Sequence, residues 1–301
     1  MKLVSFYSTN GLSYGVKTKD GLVDVQATAA KAGVPVSKDV EEVIAKGKEG
    51  LREVESVLSY APVVVPEEEI LYAPPVQNPG KIICVGANYR AHAKEADFPI
   101  PEFPIYFAKF ANSLAAHEEE VVLPEFVDQG DYEVELVVVI GQKTHQVSPF
   151  EALERVFGYA TGNDLSARKE QFRSNQWMFG KAIDGFAPLG PHLVTADEVP
   201  DPQNLTLKCW VNGELRQHAN TKDMIFSVAT IISDLSQIMT LEPGDVIYTG
   251  TPEGVILGME HKEWLKNGDE IVCEVEGLGR LENRLVKVKN LEEADETTVS
   301  F

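Results

Sequence analysis

Two glutamates, Glu133 and Glu135, stand at the head of a run of β-branched residues in Asp131-Tyr132-Glu133-Val134-Glu135-Leu136-Val137-Val138-Val139-Ile140. On a strand, residues i and i+2 share a face, so both carboxylates project side by side. Like charges at that spacing repel unless a cation lies between them. A carboxylate inside an apolar run is paired or metal-bound as a rule. The alternative is a solvated strand face, and a third hard oxygen ligand would decide between the two. Asp164, in Gly162-Asn163-Asp164-Leu165-Ser166-Ala167-Arg168, is the candidate; alone it reads equally as a turn residue. Three carboxylates with no Cys or His beside them suit Mg²⁺, Mn²⁺ or Ca²⁺ rather than zinc.

A second constellation is Gly86-Ala87-Asn88-Tyr89-Arg90-Ala91-His92-Ala93-Lys94-Glu95. On a helix, His92 and Glu95 share a face. A carboxylate bonded to an imidazole orients the ring and raises its basicity, as a general base requires. The bland alternative is a surface pair. The stretch after it, from Phe98 to Pro104, is rich in proline and aromatic residues and would suit a lid. Lys181, following Gly180 and preceding a glycine- and proline-rich loop, could reach such a site. Thr249-Gly250-Thr251-Pro252-Glu253-Gly254 offers backbone N–H groups and hydroxyls to an anion.

The elements that must carry these residues are mixed. Leu3–Ser8, Ser13–Thr18 and Gly21–Gln26 read as strands split by the turn dipeptides Asn10-Gly11 and Asp20-Gly21. Ser37 reads as the N-cap of a helix containing Glu41 and Glu42. Leu51, Val54, Val57 and Leu58 recur at helical spacing. Five prolines between Ala61 and Pro79 mark a boundary. Beyond it, Lys81–Gly86 and Val134–Gly141 read as strands, the latter buried on both faces. Ser148-Pro149-x-Glu151 is a capping-box helix start, and Ser166 is a possible second cap. Val228, Ile231, Ile232, Leu235, Ile238 and Met239 trace an amphipathic helix. The last third is β-rich. Strands and helices do not alternate as βαβ units, so the fold class is β-rich α+β. We divide the chain into a small domain at 1–70, a catalytic domain at 71–290 and a polar tail at 291–301.

The chain has 301 residues, 47 acidic against 27 basic, and a net charge of −20. That field argues against nucleic acid or an anionic membrane as partner. No apolar run approaches the ~20 residues that span a bilayer. The N-terminal stretch has no sustained apolar core of a signal peptide, and Cys84, Cys209 and Cys273 form neither a disulfide framework nor a CxxC site. These features read as a cytoplasmic protein with buried, inert thiols. No GxGxxG follows a strand and no GxSxG is present, which argues against a dinucleotide-dependent dehydrogenase and a serine hydrolase.

Taken in order, GANYRAHAKE, DYEVELVVVIG, GNDLSAR with Gln171, QWMFGKAIDGFAPLGP, MTLEPGDVIYTGTPEGV and EVEGLGRLENRLV resemble the fumarylacetoacetate hydrolase family over roughly residues 78–287. The resemblance implies a mixed β-sandwich roll with a small N-terminal α+β domain, and a homodimer. It implies Glu133, Glu135 and Asp164 as Mg²⁺ or Mn²⁺ ligands and His92 with Glu95 as a catalytic dyad on the lid. It further implies Lys181 as the site lysine, with Arg168, Gln171 and Thr251 contacting a small 2-oxo acid substrate. Within that family's chemistry the sequence favours a hydrolase cleaving a C–C bond of an acylpyruvate-type substrate. Oxaloacetate decarboxylation and 2-oxo acid tautomerisation or isomerisation are the alternatives, since all pass through the same enolate. A non-catalytic metal-binding regulator, recruiting a partner through residues 1–70, is the alternative from a different class.

Overall fold

The computed structural model describes residues 1–19 and 21–287; the Asp20 half of one expected turn and the expected polar tail lie outside them. The strand Val134–Ile140 is buried at every position. Its parity explains why. Val134, Leu136, Val138 and Ile140 face one apolar cluster, with Leu207, Ile231, Ile271 and Leu281. Val137 and Val139 face another, with Val43, Val54 and Tyr248. A strand with no solvent face needs no polar positions, so its alternation disappears from the sequence.

This strand lies inside a 12-stranded mixed sheet. It pairs antiparallel with Val156–Asn163 on one side and Val246–Tyr248 on the other. Val246–Tyr248 runs parallel to Ile82–Gly86, which pairs antiparallel with Ile105–Lys109. A five-stranded sheet, including Thr206–Val211, Glu270–Val275 and Gly279–Val286, closes the first cluster. Its strands alternate buried and partly exposed residues, as a one-sided sheet should. The class is therefore the expected β-rich α+β. The N-terminal strands extend the same large sheet: Lys2–Ser8 pairs with Ala187–Thr195. Val25, Val40, Val43 and Val54 also share a cluster with Val137, Val139 and Tyr248.

Most expected elements form, with local differences at their ends. Asp39, not Ser37, caps the helix Val40–Lys46, accepting from the Glu42 N–H. Ser37 is wholly buried and spends its hydroxyl on Glu53 Oε2 at 2.7 Å. Ser148 and Glu151 make the capping box, but the helix is one turn long, Pro149–Ala152. Ser166 does not cap; its hydroxyl donates to the Asp164 carbonyl at 3.0 Å and it pairs in a two-residue strand. Ile238 keeps the helical spacing of Val228–Ile238 yet lies 74% exposed at its end. All three cysteines are free and buried.

Two histidines are enclosed near the junction of the N-terminal strands with both sheets. His117 Nδ1 accepts from the Glu282 N–H at 3.1 Å, and its ring meets Tyr72 edge-on at 4.7 Å. His192 is buried, and its Nε2 has no hydrogen-bond partner among the described residues. Burial, aided by Lys17, pulls His117 down to about 4; burial, with Lys2, Lys17 and His117, pulls His192 down to about 3. A base whose folded pKa is depressed stabilises the fold in its neutral form. That contribution is complete above the unfolded value near 6.5 and is lost as pH falls toward 4. Denaturant titrations are expected to show stability dropping between pH 6.5 and 4, by on the order of 3 kcal/mol for each histidine. In His117→Gln and His192→Gln variants that slope should shrink; an unchanged slope would refute the assignment.

Candidate active site

The parity that buries the central strand also builds the site. Glu133 and Glu135 fall on the same side as Val137 and Val139, at the end of the strand where it meets the Asn163-Asp164 turn. Asp164 N–H donates to the Glu133 carbonyl at 2.9 Å, and Glu133 N–H donates to Asn163 Oδ1 at 3.0 Å. The two segments are thereby locked together. Carboxylate oxygens of Glu133, Glu135 and Asp164 lie within 4.8 Å of one another, and all three residues are buried.

Positive charge surrounds this triad unevenly. Lys181 Nζ donates to Glu133 Oε2 at 2.9 Å and Asp164 Oδ2 at 2.8 Å. Arg168 Nη2 stands 2.6 Å from Glu133 Oε1, while its Nε donates to Asp131 Oδ2 at 2.8 Å. Burial alone would raise the Glu133 carboxyl, but Lys181, Arg168 and His92 outweigh it and hold Glu133 well below the usual range. Among the described residues Glu135 has one donor, the Gly250 N–H at 2.7 Å. Burial, then the charges of Asp164 and Glu133, push it well above the usual range. Burial works against the Lys181 ammonium, yet Asp164 and Glu133 raise it overall.

Asp164 Oδ1 is buried, with the Lys109 ammonium 2.7 Å away. Three buried carboxylates within 4.8 Å of one another, with Glu135 held by a backbone N–H alone among the described residues, are a poor arrangement for a protein alone and a good one for a hard cation. The donor set is all oxygen, which suits a divalent ion such as Mg²⁺ or Mn²⁺. Glu133, Glu135 and Asp164 would hold it.

His92 and Glu95 meet as the spacing requires. The helix Arg90–Glu95 carries both, and His92 Nδ1 lies 3.1 Å from Glu95 Oε1. Each Glu95 carboxylate oxygen also accepts from the Gly254 N–H at 3.0 Å. The turn that follows Val246–Tyr248 therefore anchors the dyad. Gly254 is required there: its φ is +98°, and a Cβ would lie 2.1 Å from the Arg216 carbonyl oxygen.

His92, Glu133, Arg168, Gln171, Lys181 and Thr251 line one enclosed cavity, closed by Phe98, Phe107 and Trp177. Its free space is about 20 Å³, room for roughly one water molecule. Nothing larger than a water molecule fits that space unless the aromatic wall moves. Phe98 stacks on Trp177 at 6.4 Å, and Trp177 presses so closely on Gly86 that a Cβ there would lie 2.3 Å from the indole. A larger concavity of about 660 Å³, walled by Phe110, Phe126 and Phe179, contains none of these polar groups.

The structure thus brings all nine expected residues to one place, with two qualifications. The Thr251 hydroxyl donates to the Val134 carbonyl and accepts from Gln217, each at 2.9 Å, so its proton is already committed. Arg168 is held by Asp131, Glu133 and Gln171. Three residues escaped the sequence reading. Asp131 fixes Arg168 and accepts from Ile256 and Leu257 N–H. Gln217 reaches from the five-stranded sheet to Thr251 and to the Val134 N–H. Lys109 stands 2.7 Å from Asp164 Oδ1. Asp131 continues the i, i+2, i+4 series of Glu133 and Glu135, and Lys109 ends an apolar strand; both were detectable signals.

A sheet-built site with a buried three-carboxylate cluster and a histidine–carboxylate dyad has the donor set for a divalent cation and a base for proton transfer. Residues 81–286 match the family model for the C-terminal domain of fumarylacetoacetate hydrolase. The chain belongs to the fumarylacetoacetate hydrolase family. It is 41% identical over 290 residues to the mitochondrial oxaloacetate tautomerase FAHD2A of Homo sapiens, covering 95% of this chain and 92% of that one. Among solved structures it resembles the fumarylacetoacetate hydrolase of the psychrophile Exiguobacterium antarcticum, at 35% identity and a TM-score of 0.82, covering 96% of this chain and all of that one. It also resembles the maleylpyruvate hydrolase of Sphingobium sp. SYK-6 in complex with manganese(II) ion and pyruvate, at 32% identity and a TM-score of 0.78 with the same coverage.

Glu135→Gln keeps the side chain's shape and its Gly250 contact but removes a charge. It is expected to weaken Mn²⁺ binding by about 100-fold in calorimetric titration, at the upper end for perturbing a metal site. Equal binding by the variant would remove Glu135 from the ligand set.

Proposed function

We propose that this protein interconverts the keto and enol forms of a 2-oxo dicarboxylic acid of the oxaloacetate type, using a divalent cation at Glu133, Glu135 and Asp164. The observation that carries this reading is the placement of His92. Its Nδ1 is occupied by Glu95, which leaves Nε2 as the nitrogen available to a cavity shared with Lys181 and Arg168. A base so placed takes the proton from the carbon between the ketone and the distal carboxylate. Glu95 stabilises the resulting imidazolium, and the proton returns to the oxygen of the enolate. Lys181 supplies positive charge where that oxyanion forms. A bound divalent cation would add Lewis-acid stabilisation of the same charge. Gln171 donates its amide N–H₂ toward a substrate carboxylate, since its Oε1 is taken by Arg168. Closure of Phe98 and Trp177 excludes water and prevents the enolate from being lost to side reactions. Similarity to oxaloacetate tautomerases, at 41% identity over 290 residues, supports this choice.

C–C bond hydrolysis is the second reading, supported by the resemblance to maleylpyruvate hydrolase. There His92 would take its proton from water, which then attacks the distal carbonyl. The two reactions separate by product. Chelator-treated protein restored with Mn²⁺ should accelerate the decay of enol oxaloacetate without releasing CO₂ and leave acetylpyruvate intact. Formation of acetate and pyruvate would overturn the tautomerase in favour of the hydrolase. His92→Ala should cost about 10²–10⁴-fold in turnover whichever reaction operates. Turnover at the native rate would remove His92 from the mechanism.

A further inference from the structure

The strand Ile105–Lys109 ends on a lysine whose side chain has no exposed surface. Its Nζ donates to the carbonyls of Leu165 at 3.2 Å and Phe186 at 2.7 Å, and to that of Lys181. It stands 2.7 Å from Asp164 Oδ1. All four neighbours only accept hydrogen bonds, so the nitrogen among them serves as a full ammonium donor. Three carbonyls and the Asp164 carboxylate share this one ammonium, which is therefore a fixed charge beside that carboxylate. It is absent from the walls of the cavity, so it does not reach substrate.

We propose that Lys109 determines the charge of the cation the triad accepts, favouring a divalent over a trivalent ion. The proposal rests on the reading of Glu133, Glu135 and Asp164 as metal ligands. Three clustered carboxylates alone would favour the ion of highest charge. Repulsion by a fixed cation grows in proportion to the charge of the incoming ion, so Lys109 penalises a trivalent ion half again as much as a divalent one. Lys181 also carries positive charge, but its ammonium is paired to the Glu133 and Asp164 carboxylates themselves, so an ion held by those carboxylates takes over its partners. The Lys109 ammonium is pinned by carbonyls from three separate segments, and its penalty cannot relax. It acts through Asp164 as a specificity-determining residue.

The experiment is competition between Tb³⁺ and Mn²⁺ for the metal-free full chain. Tb³⁺ is read by its luminescence sensitised by Trp177 in the cavity wall, and Mn²⁺ by electron paramagnetic resonance. Only Tb³⁺ displaced by Mn²⁺ is counted, which removes binding to the acidic surface. Lys109→Met should raise the ratio of Tb³⁺ to Mn²⁺ affinity by at least roughly tenfold, and Lys109→Arg, which keeps the charge, should leave it within about threefold. A purely structural role would lower both affinities together; an unchanged ratio in Lys109→Met overturns the proposal. If Lys109→Met does not fold, the native protein decides. It should bind Tb³⁺ no more tightly than Mn²⁺, and a preference for Tb³⁺ overturns the proposal. Failure of the underlying reading looks different: the native protein would then show no Mn²⁺ site sensitive to Glu135→Gln, and the proposal would fall with it.

Discussion

Carboxylates can be removed from water only where positive charge accompanies them, and that requirement governs the centre of this molecule. Asp131, Glu133, Glu135 and Asp164 are all buried, facing Lys109, Arg168 and Lys181, which are buried with them. Each ion would be prohibitively costly alone. The cluster is stable only as a set, and its geometry is correspondingly over-determined: Arg168 joins Asp131 to Glu133, Lys181 joins Glu133 to Asp164, and Lys109 is pinned beside Asp164. The weakly compensated member is Glu135, held by the Gly250 N–H and facing two other carboxylates. A divalent cation would supply the positive charge that four carboxylates facing three cations lack.

The fold supplies what such a network needs, a rigid and dry frame. Strand parity directs Glu133 and Glu135 the same way, and the fully paired interior position of Val134–Ile140 prevents that direction from slipping. The five-stranded sheet contributes through Gln217, which bonds both the start of this strand and the Thr251 turn. That turn in turn holds Glu95 through Gly254. Dyad, triad and lysines are thus coupled through backbone contacts, although they come from distant parts of the sequence. The aromatic wall of Phe98 and Trp177 closes a cavity whose free space is that of about one water molecule.

Much of this was legible in the sequence because period and spacing are local. The β-branched run announced a strand buried on both faces, i and i+2 put the glutamates together, and i and i+3 put His92 on Glu95. The family resemblance brought Asp164, Lys181, Arg168, Gln171 and Thr251 to the same site. What local pattern could not convey was pairing across the chain. Nothing near Lys109 points to Leu165, Lys181 or Phe186, and nothing near Gln217 points to Thr251. Ser37 and Ser166 misled for the same reason. Each has the chemistry of a cap, but a distant or neighbouring acceptor, Glu53 for one and the Asp164 carbonyl for the other, claims its hydroxyl. The commitment of the Thr251 proton was likewise invisible until its partners were in place.

The carboxylate cluster would hold a divalent ion beside the cavity that its accompanying lysine and arginine and the dyad line. The most direct measurement is the anomalous scattering of Mn²⁺ in crystals of the full chain, grown with the metal and with pyruvate. One strong peak within coordination distance of Glu133, Glu135 and Asp164, with pyruvate oxygens completing the shell beside Lys181, is the predicted result. Density for Mn²⁺ only elsewhere on the acidic surface, with the triad still paired to its lysines, would contradict the account.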